Sequence, residues 1–336
     1  MGRWMRKMAA CALAMCCCAC GALAEESRQF FAMDTLMTVT VYDGDSEALS
    51  DCQARVEQLE ALLSVTNPDS EVGRLNQSGR VVASEDTLSL LRFVLAMSGR
   101  TSGAVDPTVY PLVRAWGFTT GSYRVPGDEE LAELLPLVGY AQVKLDEDSG
   151  EITLPEGAAI DLGSVAKGYA ADQLAELLKQ RGVTTALMDL GGNVHCVGSK
   201  ADGQPWRVGI RDPLGDGYVG AVTVTDCAVV TSGCYERYFE QDGVVYGHII
   251  DPQTGRPVEN GVQSVTVVSD SGLRSDALST ALFVMGADRA AELWRQSDDF
   301  EAVIVTEEGA YITAGLADRF QPMGRFEDMQ WTVIEK

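Results

Sequence analysis

From Trp206 to Val268 the chain runs as six short segments rich in β-branched and aromatic residues: Trp206–Arg211, Tyr218–Val224, Ala228–Thr231, Tyr235–Glu240, Val245–Ile250 and Val262–Val268. Successive short strands of this kind predict a mostly antiparallel sheet. No repeat, low-complexity tract or Pro/Ser linker interrupts them, which favours one interwoven domain. At 336 residues the chain can bury a large core, and length alone does not decide between one domain and two.

The upstream half reads as alternating elements. Leu36–Tyr42 has the composition of a first strand, and Ser46–Leu63 places Leu49, Val56, Leu59, Leu62 and Leu63 on one helical face. The polar run from Asn67 to Gly79 reads as a loop carrying Ser70 and Asn76, followed by a helix starting at Ser84 and ending at Gly99. A short acidic helix over Gly127–Gly139 and a hairpin over Val143–Leu154 come next.

The hairpin leads into Ala158–Asp172, AAIDLGSVAKGYAAD, which reads as a strand handing over to a helix through a turn at Gly163. The helix, Ala166–Arg181, sets Ala170, Leu174, Leu177 and Leu178 on one face, and a strand over Thr185–Leu190 completes a strand-helix-strand unit. The first amides of such a helix lack intrahelical acceptors and favour an anion, so the join can hold phosphate. The same residues also make an ordinary packing unit with Lys167 as a solvated first-turn lysine.

Charge and cysteine usage limit the partners. Residues 1–24 place Arg3, Arg6 and Lys7 before an apolar run, which reads as a secretory signal. Cleavage after Ala24 and lipid attachment at a cysteine between Cys16 and Cys20 are both legible, with the balance towards a lipid anchor. The remainder holds 23 basic and 49 acidic residues, a net charge of −26. Such a surface argues against nucleic acid and anionic lipid as partners, and a phosphate ligand would need a metal ion or backbone amides. Cys52, Cys196, Cys227 and Cys234 lack metal-binding spacing, and His195 and His248 are the only histidines. Cys227 and Cys234 flank a segment that could turn back to form a disulfide, or they stay thiols.

Several residues have the chemistry of a site. Asp106, in an Asp-Pro step after Gly103, reads as a cap or as a ligand contact. Trp116-Gly117-Phe118 supplies aromatic bulk for a core or for stacking on a ring, and Gly191-Gly192-Asn193 closes a strand where backbone can meet a ligand. His248 stands where an apolar run meets a turn. Asp276 and Thr280, four apart on a helix beginning at Ser275, offer a carboxylate and a hydroxyl suited to magnesium, or else cap the helix and bond back to a carbonyl.

Asp161–Ala170 (DLGSVAKGYA), His248–Pro252 (HIIDP) and Asp276–Ala281 (DALSTA) together resemble the ApbE family of FAD:protein FMN transferases. The resemblance runs from Met33-Asp34-Thr35 to about Gly315 and takes in Val105-Asp106-Pro107-Thr108, Trp116-Gly117-Phe118, Gly191-Gly192-Asn193 and Thr231-Ser232-Gly233. It implies an α+β fold: a single ApbE-like, T-fold-like domain over 25–336, with a mixed, mostly antiparallel sheet flanked by helices.

It also implies magnesium-dependent transfer of FMN from FAD to a threonine or serine hydroxyl of an exported flavoprotein, with release of AMP. By resemblance, Asp276, Thr280 and the Ser164 carbonyl hold the metal, and Met33, Ala104, Val105, Asp106, Asp161, Lys167 and His248 hold FAD. Lys167 and magnesium then offset diphosphate charge, His248 orients or donates to a phosphate oxygen, and Asp276 orients the ion and helps accept the hydroxyl proton. Asp34, Ser164 and Thr66 depart from the usual family residues, glycine, alanine or glycine, and an aromatic. Two other activities fit the same motifs: an exported magnesium-dependent FAD pyrophosphatase and a non-catalytic FAD carrier.

Overall fold

The computed structural model describes residues 25–336, so the expected signal and lipid anchor over residues 1–24 lie outside it. In chain order the elements are β1 (Glu26–Ala32), β2 (Thr35–Val41), α1 (Ser46–Leu63), α2 (Glu71–Ser78), β3 (Arg80–Val82), α3 (Glu85–Arg100), α4 (Tyr110–Ala115), α5 (Asp128–Leu134), β4 (Lys144–Asp146) and β5 (Glu151–Thr153). There follow α6 (Gly163–Gln180), β6 (Ala186–Leu190), β7 (Asn193–Val197), β8 (Trp206–Arg211), β9 (Tyr218–Val224), β10 (Ala228–Gly233), β11 (Tyr238–Gln241) and β12 (Val244–Gly247). The chain ends with β13 (Val262–Ser269), α7 (Gly272–Met285), α8 (Ala287–Arg295), β14 (Glu301–Thr306), β15 (Ala310–Thr313), β16 (Phe320–Pro322) and β17 (Trp331–Ile334).

Nine strands form the main sheet in the order β1-β2-β6-β7-β10-β13-β14-β15-β17. Only the β15–β17 pair is parallel, so the expected mixed, mostly antiparallel sheet flanked by helices is what forms. β13 lies inside this sheet and is buried along almost its whole length, its Ser264, Thr266 and Ser269 as well as its valines. One face of the sheet meets α1, α6 and α7 through residues such as Met37, Val56, Leu59, Leu174, Val265 and Leu278. The other face packs Val229, Val268 and Val303 against Trp206 and Val222 of the smaller sheet β16-β9-β8.

Several sequence expectations are corrected. The polar run Asn67–Gly79 contains a helix, α2, capped by Ser70, whose Oγ accepts the Gly73 amide at 2.7 Å. Its polarity reflects a single narrow buried face, Val72 and Leu75. The strand expected first is β2; β1 precedes it, paired residue for residue through a two-residue turn. No strand runs into the central helix. Ile160 trades both backbone bonds with the Asn76 side chain, and the Asp161 amide donates to the Pro107 carbonyl, so this segment has no ladder to join. The helix itself opens at Gly163, which does not make the turn, because its φ is not left-handed.

Cys227 and Cys234 lie just outside opposite ends of the straight strand β10 and are free thiols. An extended run of that length separates its ends by roughly 20 Å, far beyond disulfide reach. The helix bearing Asp276 starts at Gly272 rather than Ser275, with Ser271 as its cap, so Asp276 occupies the second turn.

Candidate active site

A cavity of about 910 Å³ opens where the β1–β2 turn, the C-terminal end of α1, the start of α6, the Gly191–Asn193 turn and the body of α7 converge. Its size is near the upper end of the range for small-molecule sites. Met33, Ala104, Val105, Asp106, Asp161, Ser164, Lys167, His248, Asp276 and Thr280 all line it.

The crossing of α6 and α7 sets the floor. A Cβ on Gly168 would stand 2.3 Å from the Gly272 carbonyl oxygen and 2.7 Å from the Asp276 Cβ, so the two backbones touch because both positions are glycine. Asp172 of α6 locks the crossing by accepting the Ser271 hydroxyl at 2.7 Å and the Gly272 and Leu273 amides at 2.5 and 3.1 Å. Buried His195 lies behind it, with Nδ1 3.6 Å from Asp172.

At the crossing the Gly168 amide donates to Asp276 Oδ2 at 2.8 Å. In a regular helix that amide serves the Ser164 carbonyl alone, so sharing it leaves acceptor capacity on Ser164 at the cavity wall. Burial raises the Asp276 pKa, opposed by the Lys167 charge and the Gly168 amide. The Asn193 amide sits beside Asp276 and favours its ionised form, yet its buried nitrogen completes no well-formed hydrogen bond. Ser164, Asp276 and Thr280 thus present a carbonyl, a carboxylate and a hydroxyl, a hard-oxygen set that fits magnesium.

Asp106 has both of its anticipated roles available. One oxygen accepts the Thr108 amide and hydroxyl at 2.8 and 2.6 Å and the other accepts the Tyr140 amide at 2.9 Å, while the residue faces the cavity. Trp116 is core, fully buried with Nε1 donating to the Gly255 carbonyl, whereas Phe118 reaches the cavity wall edge-on to His248.

His248 is expected to orient or donate to a phosphate oxygen, and its ring tautomer bears on which of these it can do. Burial pushes its pKa down to about 4, so the ring is neutral near pH 7. Nδ1 lies 3.1 Å from the Arg237 carbonyl, an acceptor, so Nδ1 carries the hydrogen and Nε2 is left as an acceptor.

Glu60, Tyr235, Glu236, Arg237 and Arg211 also line the cavity and are not singled out by the sequence. The expected strand Tyr235–Glu240 begins only at Tyr238, and residues 235–237 form a turn into the cavity. The adjacent charges of Glu236 and Arg237, between Tyr235 and Tyr238-Phe239, are the available signal. Glu236 is reached by water, yet the surrounding walls push its pKa up to about 7; Lys167 and Arg237 oppose the shift and Asp276 adds to it.

Comparison with known proteins agrees with this fold. A family profile described as the ApbE family matches residues 33–304. A protein named FAD:protein FMN transferase from Klebsiella pneumoniae is 34% identical over 310 residues, covering 90% of this chain and 95% of its own. One of the same name from Treponema pallidum is 35% identical, covering 88% of each chain. Among solved structures, the ApbE protein of Thermotoga maritima superposes with a TM-score of 0.80 at 33% identity, over 90% of this chain and 98% of its own. The flavinyl transferase ApbE of Pseudomonas stutzeri gives 0.80 at 31%, with the same coverage. Matched over most of its length in sequence and in fold, the chain belongs to the ApbE family.

Proposed function

We propose that this chain is an FAD:protein FMN transferase, moving FMN from FAD to a threonine or serine hydroxyl of an exported flavoprotein and releasing AMP. The observation that carries this reading is convergence. Lys167, His248, Asp276 and Thr280 come from three separate stretches of sequence and line one cavity large enough for a dinucleotide.

In the reaction the acceptor oxygen forms a bond to the phosphorus of the FMN half, the bond to the AMP oxygen breaks, and the hydroxyl proton is released. His248 Nε2, the free acceptor of a neutral ring, orients that hydroxyl and takes its proton. Lys167 offsets diphosphate charge. Asp276, held by the Gly168 amide, keeps its remaining oxygen for a cation together with Ser164 and Thr280. Magnesium bound there would supply the positive charge that this acidic chain lacks.

An exported location goes with this reading, supported by Arg3, Arg6, Lys7 and the apolar run that follows, with a lipid anchor at one of Cys16–Cys20 as its membrane attachment. The test incubates residues 25–336 with FAD, magnesium and a threonine-bearing flavoprotein domain, following AMP release and acceptor mass. An FMN-sized mass gain that is lost in Asp276→Ala supports transfer. AMP with free FMN alone would make the protein a pyrophosphatase, and intact bound FAD would make it a carrier.

A further inference from the structure

Three locally unfavourable features meet at one contact on the cavity wall. The β1–β2 turn consists of Met33 and Asp34, both left-handed with φ of 49° and 59°, and neither is glycine. Glu60 places a carboxylate in the last turn of α1, where the helix end already carries partial negative charge and no basic residue compensates it. Its Oε1 accepts the Met33 amide at 2.9 Å, the one hydrogen bond the Glu60 side chain makes among the described residues. The lining cations Lys167, Arg211 and Arg237 form no ion pair with it there. The second oxygen therefore has no protein partner, and Met33, Asp34 and Glu60 all face the cavity. So short a hairpin turn calls for left-handed backbone at both positions, and non-glycine residues held there recur at ligand sites.

We propose that Glu60 is a specificity-determining residue: one carboxylate oxygen pins the Met33 amide while the other accepts a hydrogen bond from a neutral N–H or O–H donor of bound FAD. This rests on the reading of the cavity as an FAD site. The donor belongs either to the flavin half, as a ring N–H or side-chain hydroxyl, or to the adenosine half, as an amine or ribose hydroxyl. Recognition by a carboxylate suits a donor remote from the phosphates, which it would repel.

The test uses Glu60→Gln. Its carbonyl can still hold the Met33 amide, while its NH₂ presents a donor to the ligand's donor. Binding of FAD, riboflavin and ADP to the wild type and the variant is followed by flavin fluorescence and by competition, with thermal midpoints recorded alongside. The expected result is a loss of FAD affinity on the order of tenfold or more, shared by riboflavin alone or by ADP alone according to which half bears the donor. FAD affinity within about twofold of wild type overturns the proposal and leaves Glu60 as a pin. So does an equal loss for all three ligands, or recovery of affinity in Glu60→Gln/Asp34→Gly, where the turn is relaxed. A wild type that binds no FAD overturns the site reading instead.

Discussion

At the scale of single residues, the cavity holds two ionisable groups whose environments push them in opposite senses. His248 is neutral throughout the physiological range, whereas Glu236 titrates near neutrality. Glu236 faces Lys167 of α6 and Asp276 of α7, with Arg237 beside it in its own turn. Because its pKa is raised, it is ionised above about pH 7 and neutral below. An anionic diphosphate binds more readily once that negative charge is removed, and filling the cavity strengthens the preference by displacing water. FAD affinity measured by flavin fluorescence should therefore tighten as pH falls from roughly 8 to 6. Glu236→Gln should bind at the upper pH as wild type binds at the lower; a pH dependence unchanged in the variant would assign the effect elsewhere. His248→Ala separates from this cleanly, with AMP release falling about 10²-fold or more while FAD affinity stays near wild type. Loss of binding and rate together would mean that His248 holds FAD rather than the acceptor hydroxyl.

At the scale of elements, the periodic segments were legible and the punctuated ones were not. Ser46–Leu63 is legible with both boundaries because its buried face repeats at helical spacing. The segment around Asp161 reads as a strand because its apolar residues satisfy a strand pattern. Its backbone is in fact satisfied by Asn76 and by the Pro107 carbonyl, far away in sequence. The α6–α7 crossing was also illegible, since a glycine inside a helix looks like a weakness until the facing helix is known. That difference can be measured with two alanines. Gly168→Ala drives a methyl into the Gly272 carbonyl and should destabilise by about 1–3 kcal/mol, loosening FAD binding because Asp276 moves with the helix. Gly99→Ala, on α3 with nothing within 4 Å of its added Cβ, should stabilise by up to about 0.5 kcal/mol and leave binding unchanged. Urea midpoints and FAD titrations on both variants check the pair, and equal effects at the two positions would refute the packing argument.

At the scale of the whole molecule, motif order in the sequence was enough to gather the candidate residues, yet it said nothing of the strand order that gathers them. β1 lies at one edge of the nine-stranded sheet and β10 near its middle, and no local pattern specifies that. Net charge, by contrast, is fixed by composition, and it acts over the entire surface. The cavity does not reverse it: Asp34, Glu60, Asp106, Asp161, Asp189, Glu236 and Asp276 outnumber Lys167, Arg211 and Arg237 along its walls. FAD, itself anionic, therefore approaches against the field, and on the proposed reading its capture would depend on local oxygen ligands and a cation held by them rather than on long-range steering. Screening should help such an encounter. As ionic strength rises from roughly 10 to 150 mM, the screening length falls from about 30 to 8 Å, and the association rate for FAD at fixed magnesium should rise. Stopped-flow flavin fluorescence measures that slope directly. A rate that falls with salt would mean that the field at the mouth is set by Lys167, Arg211 and Arg237, so that the protein attracts its substrate despite its overall charge.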